Sequence, residues 1–228
     1  MTPTDPSSIA QYIQHTLIEA DATAERMRQH AQECVTWGFN AAMVPGSWVP
    51  LVASELAGTG IVVASALDFP VVGTMTSAGK AFEAESLVRQ GAGQIDIGVQ
   101  IGWLKSGMWD AFRDDIAGVV QASGVPIKVM LELPLLTPDE RNAAVELSLE
   151  AGAAYLKNAS SGAIETANPE SIGWLVEKAA GRALVKASGS IKSLDQVISL
   201  IDAGAVLVGS SAGIAIVTSS TTAETTSY

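Results

Sequence analysis

The chain has 228 residues, 48% of them hydrophobic and 16% charged, with 13 Lys+Arg against 24 Asp+Glu and a formal net charge of −11. It is too aliphatic to be disordered, and too acidic to favour nucleic acid or an anionic membrane surface. A single cysteine, Cys34, excludes a disulfide framework and a cysteine-built zinc site, and two histidines, His15 and His30, are too few for a histidine-built one.

The first ten residues, MTPTDPSSIA, have neither a basic start nor an apolar centre, so no secretory signal is expected and the cytoplasm is the default location. From there short β-rich runs alternate with longer amphipathic stretches. A strand at Ile13-Gln14-His15 precedes a helix over Ala24–Trp37. Next come Ala41–Val44, a helix over about 47–56, Ile61–Leu67 and a helix over 78–90. Then follow Ile95-Asp96-Ile97, a helix over 109–122, Ile127–Leu131 and a helix over 138–151. Tyr155-Leu156-Lys157, a helix over 169–180, Leu184-Val185-Lys186, a helix over 193–203 and Val206-Leu207-Val208 complete the series. The uncharged run 203–223 is long enough for a bilayer, but its glycines and serines read as a strand, a small-residue loop and a short helix.

Gly38, Gly91, Gly152, Gly181 and Gly204 stand where helices should stop, each leading at once into the next strand. Short αβ turns of this kind recur around a parallel α/β fold. Eight such units predict a compact (β/α)₈ TIM barrel. An open doubly wound sheet would carry a glycine fingerprint after strand one, where this chain has His15-Thr16-Leu17. No linker divides the chain, so residues 1–228 read as one domain, with 218–228 set apart as a candidate flexible tail.

In a barrel, function sits at the C-terminal strand ends. Strand four carries Asp96 between two isoleucines. Strand six ends at Lys157 and strand seven at Lys186, two of only seven lysines, 29 residues apart. That is one βα unit, so the two ammonium groups should be neighbours. Desolvation and like charge favour a neutral amine, and a nucleophilic lysine is typically brought down to about 7–8. Lys128, near the start of its strand, reads as a structural residue low in the barrel, and Glu132 as a weaker candidate. The small-residue turns Ser188-Gly189-Ser190 and Gly209-Ser210-Ser211-Ala212-Gly213 follow strands seven and eight, where barrels often hold phosphate on backbone N–H groups. His30 reads as a solvated helix residue and His15 as a residue that could line the mouth. The five tryptophans read as packing, and Cys34 as a small buried apolar residue.

Taken together, these residues resemble the deoxyribose-phosphate aldolase family of Schiff-base-forming barrel aldolases, from about residue 13 to 216. The matching stretches include His15-Thr16-Leu17, Phe69-Pro70 with Gly73 and Lys80, Ile95-Asp96, Lys128-Val129 with Glu132, Lys157, Lys186-Ala187-Ser188-Gly189 and Val208-Gly209-Ser210-Ser211. The resemblance implies a cofactor-free, metal-free lyase that cleaves 2-deoxyribose 5-phosphate to acetaldehyde and glyceraldehyde 3-phosphate. It makes Lys157 the Schiff-base lysine, Lys186 the lysine that depresses its pKa, and Asp96 the proton relay. Gly189, Ser190, Gly209 and Ser211, with Ser210 beside them, would hold the phosphate. It also suggests a homodimer, and a C-terminal tyrosine, here Tyr228, reaching the site. Four departures surround the substrate: Gln14 where the family has Asp, one extra residue in Asn158-Ala159-Ser160-Ser161-Gly162, Ser190 for a second glycine, and Ala212 for a serine. They keep open a different substrate, or a sugar-phosphate-binding barrel without aldolase activity.

Overall fold

The computed structural model describes residues 6–224. Eight strands close into a parallel barrel in sequence order. They are β1 (Ile13–Thr16), β2 (Ala41–Met43), β3 (Val62–Leu67), β4 (Gln94–Gly98), β5 (Ile127–Met130), β6 (Tyr155–Lys157), β7 (Leu184–Ser188) and β8 (Leu207–Ser210). β8 returns to β1 with Ile13 opposite Val208 and His15 opposite Ser210. The helices are α1 (Pro6–Ala10), α2 (Ala24–Trp37), α3 (Val49–Glu55), α4 (Ser77–Arg89), α5 (Ile101–Lys105), α6 (Trp109–Ser123), α7 (Pro138–Glu150), α8 (Pro169–Ala179), α9 (Leu194–Asp202) and α10 (Gly213–Glu224). The fold is the compact (β/α)₈ barrel expected. The eight strands and seven principal helices fall where the pattern put them. α10 runs through the first part of the segment set apart as a tail. Tyr228 lies outside the described residues.

Local chemistry explains the helix ends. Thr137 caps α7 by accepting the N–H of Glu140, whose carboxylate accepts the N–H of Thr137, and Pro138 takes the position where no N–H is needed. Ser193 and Gln196 repeat this box on α9. α2 starts on Thr23 and stops at Gly38, whose φ of 67° is the left-handed conformation that closes a helix. α1 and α5 have five residues each and escaped the sequence reading, because a single turn carries no helical period. β7 and β8 each run two residues past the last residue assigned from the apolar pattern, because pairing with their neighbours continues them.

Strand residues alternate between the helix layer and the barrel interior. Outward side chains such as Ile95, Ile97, Val129, Leu156, Val185 and Val208 are fully buried or nearly so against the helices. Each contributes about 1.5–3 kcal/mol. The inward positions hold a small apolar patch, Ala41, Met43 and Ala64, and then the polar residues Gln14, Asp96, Lys128, Lys157 and Lys186. Among the described residues no helix is long and apolar enough to cross a membrane.

His30 corrects one expectation. It is not solvated but fully buried, in the stripe Met27, His30, Ala31 and Cys34 that α2 turns inward. Its ring stacks on His15 at 4.6 Å, and neither ring nitrogen has a hydrogen-bond partner. Burial, reinforced by His15 and Arg26, brings its pKa down from 6.5 to about 3. The folded state therefore binds fewer protons than the unfolded chain between these values, and stability falls as pH drops below about 6.5. Replacing His30 with leucine should make the protein roughly 2–3 kcal/mol more resistant to urea at pH 4.5 relative to wild type, with little difference at pH 7. Equal differences at both pH values would show that the imidazole does not titrate in this way. Trp109 is a second correction: it is 55% exposed rather than packed.

Candidate active site

The strand ends converge on one cleft of about 790 Å³, its open mouth included. Lys157, Asp96 and Lys186 line its floor, and the turns after β7 and β8 form one wall. The register explains the convergence. Lys157 stands opposite Lys186 on β7 and opposite Met130 on β5, while Asp96 on β4 stands opposite Lys128. All these side chains therefore point into the barrel.

Asp96 is fully buried and is the anion for three ammonium groups. Its Oδ2 accepts from Lys157 Nζ at 2.9 Å and from Lys186 Nζ at 2.7 Å, and its Oδ1 lies 3.1 Å from Lys128 Nζ. Lys128 is thus part of the cluster rather than a bystander, although it stands two residues before the partner of Lys157. The aspartate reaches both levels. Burial opposes ionisation of Asp96, but the charges of Lys157, Lys186 and Lys128 outweigh it and hold the carboxyl well below the usual range. Burial also pulls Lys186 well below an ordinary lysine; Asp96 resists this, and the like charges of Lys157 and Lys128 add to it. Lys128 is lowered by burial against the pull of Asp96.

Gln14 stands where the resemblance implied an acid. Its Oε1 accepts from Lys186 Nζ at 2.6 Å, and its Nε2 donates to Gln94 Oε1 at 2.8 Å. A neutral acceptor thus orients Lys186 without adding negative charge. Glu132 is buried at the end of β5, where Oε1 accepts the N–H of Ser160 at 2.8 Å. It fixes the loop after Lys157, and burial raises its carboxyl above the usual range.

The turns after β7 and β8, where anion binding was expected, differ residue by residue. Gly189 has φ 123°, and a Cβ there would stand 2.0 Å from the carbonyl oxygen of Glu165, so only glycine fits. Ser190 also takes a left-handed φ, 52°, and faces the cleft with Ser211. Ser210 differs: its hydroxyl donates to the Ile191 carbonyl at 2.7 Å and accepts the N–H of Ala212 at 3.0 Å. That hydroxyl is occupied in shaping the turn. Lys192, not singled out from the sequence, is exposed and lines the cleft beside Ser190. Its position two residues past the predicted phosphate turn was the available signal.

His15 points away from the cleft, because strand alternation turns it outward when Gln14 turns inward. Its Nε2 pairs with Glu33 at 3.1 Å. His15, His30 and Glu33 bring ligand-type atoms within 4.8 Å of one another, a grouping the histidine count did not anticipate. Glu33 is already held by Arg26 and Gln29, and the two imidazoles are stacked with their planes 27° apart.

This arrangement has close parallels. No protein-family profile matches the chain. The deoxyribose-phosphate aldolase of Methanothermobacter thermautotrophicus is 41% identical over 211 residues, which cover 92% of this chain and 93% of that protein. That of Staphylococcus carnosus is 38% identical over 209 residues, 91% and 94% of the two chains. The chain belongs to the deoxyribose-phosphate aldolase family. The solved deoxyribose-phosphate aldolase of Aeropyrum pernix, described as a unique tetramer, superposes with a TM-score of 0.87 at 26% identity over 96% of this chain and 93% of that one. As a deoxyribose-phosphate aldolase-type protein, the chain is a carbon–carbon lyase. The positions where the sequence reading expected departures lie close to the cleft: Gln14 hydrogen-bonds Lys186, Asn158–Gly162 follow Lys157, and Ser190 and Ala212 sit in the two turns.

Proposed function

We propose that the protein reversibly cleaves 2-deoxy-D-ribose 5-phosphate to acetaldehyde and D-glyceraldehyde 3-phosphate through a Schiff base on Lys157. The observation that carries this reading is the exposure of the three lysines around Asp96. Lys157 and Lys186 both line the cleft, but Lys157 is 6% exposed against 1% for Lys186, and Lys128 is fully buried and outside the lining. Lys157 is the amine best placed to meet a substrate carbonyl.

In the cleavage direction the Lys157 amine adds to the C1 aldehyde of the open-chain sugar, and the carbonyl oxygen takes a proton. Loss of water leaves an iminium. The C3 hydroxyl then loses its proton, the C2–C3 bond breaks, and its electron pair moves into the iminium to give an enamine. Glyceraldehyde 3-phosphate departs. Protonation of the enamine at C2 and hydrolysis release acetaldehyde and restore the amine. Asp96 touches both Lys157 and Lys186, so a proton taken from one can pass to the other or to water. Lys186, lowered by burial, gives up its proton more readily than an ordinary lysine.

The phosphate end is proposed to lie on the turns at Gly189–Ser190 and Gly209–Ser211, with Lys192 at the rim. Backbone N–H groups and one exposed cation suit a dianion in a protein whose overall charge is negative. Borohydride reduction in the presence of acetaldehyde should leave one two-carbon adduct, on Lys157, by peptide mass spectrometry. A folded protein with no adduct on any lysine would favour a binding protein without lyase chemistry. An adduct on Lys186 instead would reverse the assigned roles.

A further inference from the structure

The loop after Lys157 ties this lysine to the turn after β7. Asn158, next in sequence to Lys157, is fully buried. Its Oδ1 accepts the N–H of Ser188 at 2.9 Å, and its Nδ2 donates to the carbonyl of the same residue at 2.9 Å. One side chain therefore satisfies both backbone groups of the residue that precedes Gly189. The second Nδ2 hydrogen goes to Glu165 Oε2 at 2.7 Å. Glu165 in turn accepts from Ser171 Oγ and from Asn168 Nδ2, at the start of α8. The backbone follows the same course: Ala167 N–H donates to the Gly189 carbonyl at 2.9 Å, and Glu165 O occupies the space where a Gly189 side chain would be. Gly162, further back in the loop, packs on Ser190 so closely that a Cβ there would stand 2.9 Å from the Ser190 nitrogen.

We propose that Asn158, held by Glu165, is a positioning residue that sets the distance between the imine-forming Lys157 and the anion-binding turn at Gly189–Ser190, and so selects phosphorylated substrates by length. This rests on the aldolase reading above. An amide suits the task because it offers an acceptor and two donors in one plane, enough for Ser188 and Glu165 together. The two Asn158–Ser188 bonds are buried, and a satisfied buried pair of this kind is rigid, which a fixed span requires. Asn158 touches no substrate in this scheme and acts through Ser188.

The test compares a substrate that uses the phosphate turn with one that cannot. In Asn158→Ala, KM for 2-deoxyribose 5-phosphate should rise at least tenfold, and the inhibition constant of inorganic phosphate should rise with it. Borohydride trapping of acetaldehyde on Lys157 should stay within threefold of wild type, because acetaldehyde has no phosphate. Glu165→Ala should shift KM the same way by a smaller factor. Glu165→Gln, which keeps an acceptor for Asn158, should return it to within twofold of wild type. Unchanged KM and phosphate inhibition in Asn158→Ala would overturn the proposal, as would trapping that falls as far as KM rises. Should Asn158→Ala fail to fold, the Glu165 pair decides: a Glu165→Ala enzyme kinetically equal to wild type rejects the role. Failure of the aldolase reading is seen separately, as a wild-type protein that forms no acetaldehyde adduct.

Discussion

Replacing Lys157 with leucine should abolish sugar cleavage and acetaldehyde trapping while leaving a folded barrel. The loss expected is at least about 10⁴-fold in kcat/KM, because without an amine no covalent intermediate forms and the remaining groups act only by binding and proton transfer. The fold should survive for an electrostatic reason. Three ammonium groups share one carboxylate, so removing one leaves Asp96 with Lys186 at 2.7 Å and Lys128 at 3.1 Å. Leucine is close to the lysine stem in bulk, and because Asp96 keeps two charged partners no uncompensated buried charge is left behind. Measurable turnover by this variant would sink the assignment. A fall in kcat/KM accompanied by unfolding would show that Lys157 is also structural.

The second large effect belongs to Asp96. Asn at this position removes the shared anion and leaves its three lysines facing an amide. Breaking a buried ion pair from one side costs about 3–5 kcal/mol, and the cost is limited because the lysines can deprotonate instead. The sign with pH follows. In wild type the Asp96 carboxyl lies well below its unfolded value, so its contribution is present above about pH 4 and is lost as pH falls through the folded value. In Asp96→Asn the group that raised Lys186 and Lys128 is gone, and both are already lowered by burial. The folded variant then binds fewer protons than the unfolded chain, whose lysines titrate near 10.4, and its stability rises from pH 7 to pH 9. Urea unfolding of both proteins at the two pH values checks this: the gap should narrow at pH 9. A gap that is the same at both would mean that removing Asp96 does not change how the lysines titrate. Activity should also fall, because the proposed proton path between Lys157 and Lys186 runs through this carboxylate.

Much of this molecule was legible from its residues. The alternation of β-rich runs with amphipathic stretches, and the glycines closing the helices, depend on local chemistry that acts within a few residues. They yielded eight strands in order and, from these, a barrel. Lys157, Lys186 and Asp96 were legible because charged residues at the ends of apolar strands are rare and because barrel topology fixes which strands are neighbours. Short elements such as α5 were not, since one turn has no period.

What escaped the sequence was decided by register and by packing across the barrel. Lys128 was read as remote because its place along β5 is low, yet Asp96 stands directly opposite and reaches both levels. His15 and His30 were misplaced because a single residue does not reveal which face of its strand or helix meets the core. That the Ser210 hydroxyl is taken up between Ile191 and Ala212 is likewise a matter of how the turn packs. Asn158 and Glu165 lie in the loop after β6, and nothing in their sequence shows that the turn after β7 closes against them. Periodicity, caps and turns are local and determine the elements. A buried charge cluster or a strap between two loops brings together residues tens of positions apart, so only the closed barrel decides which of them meet.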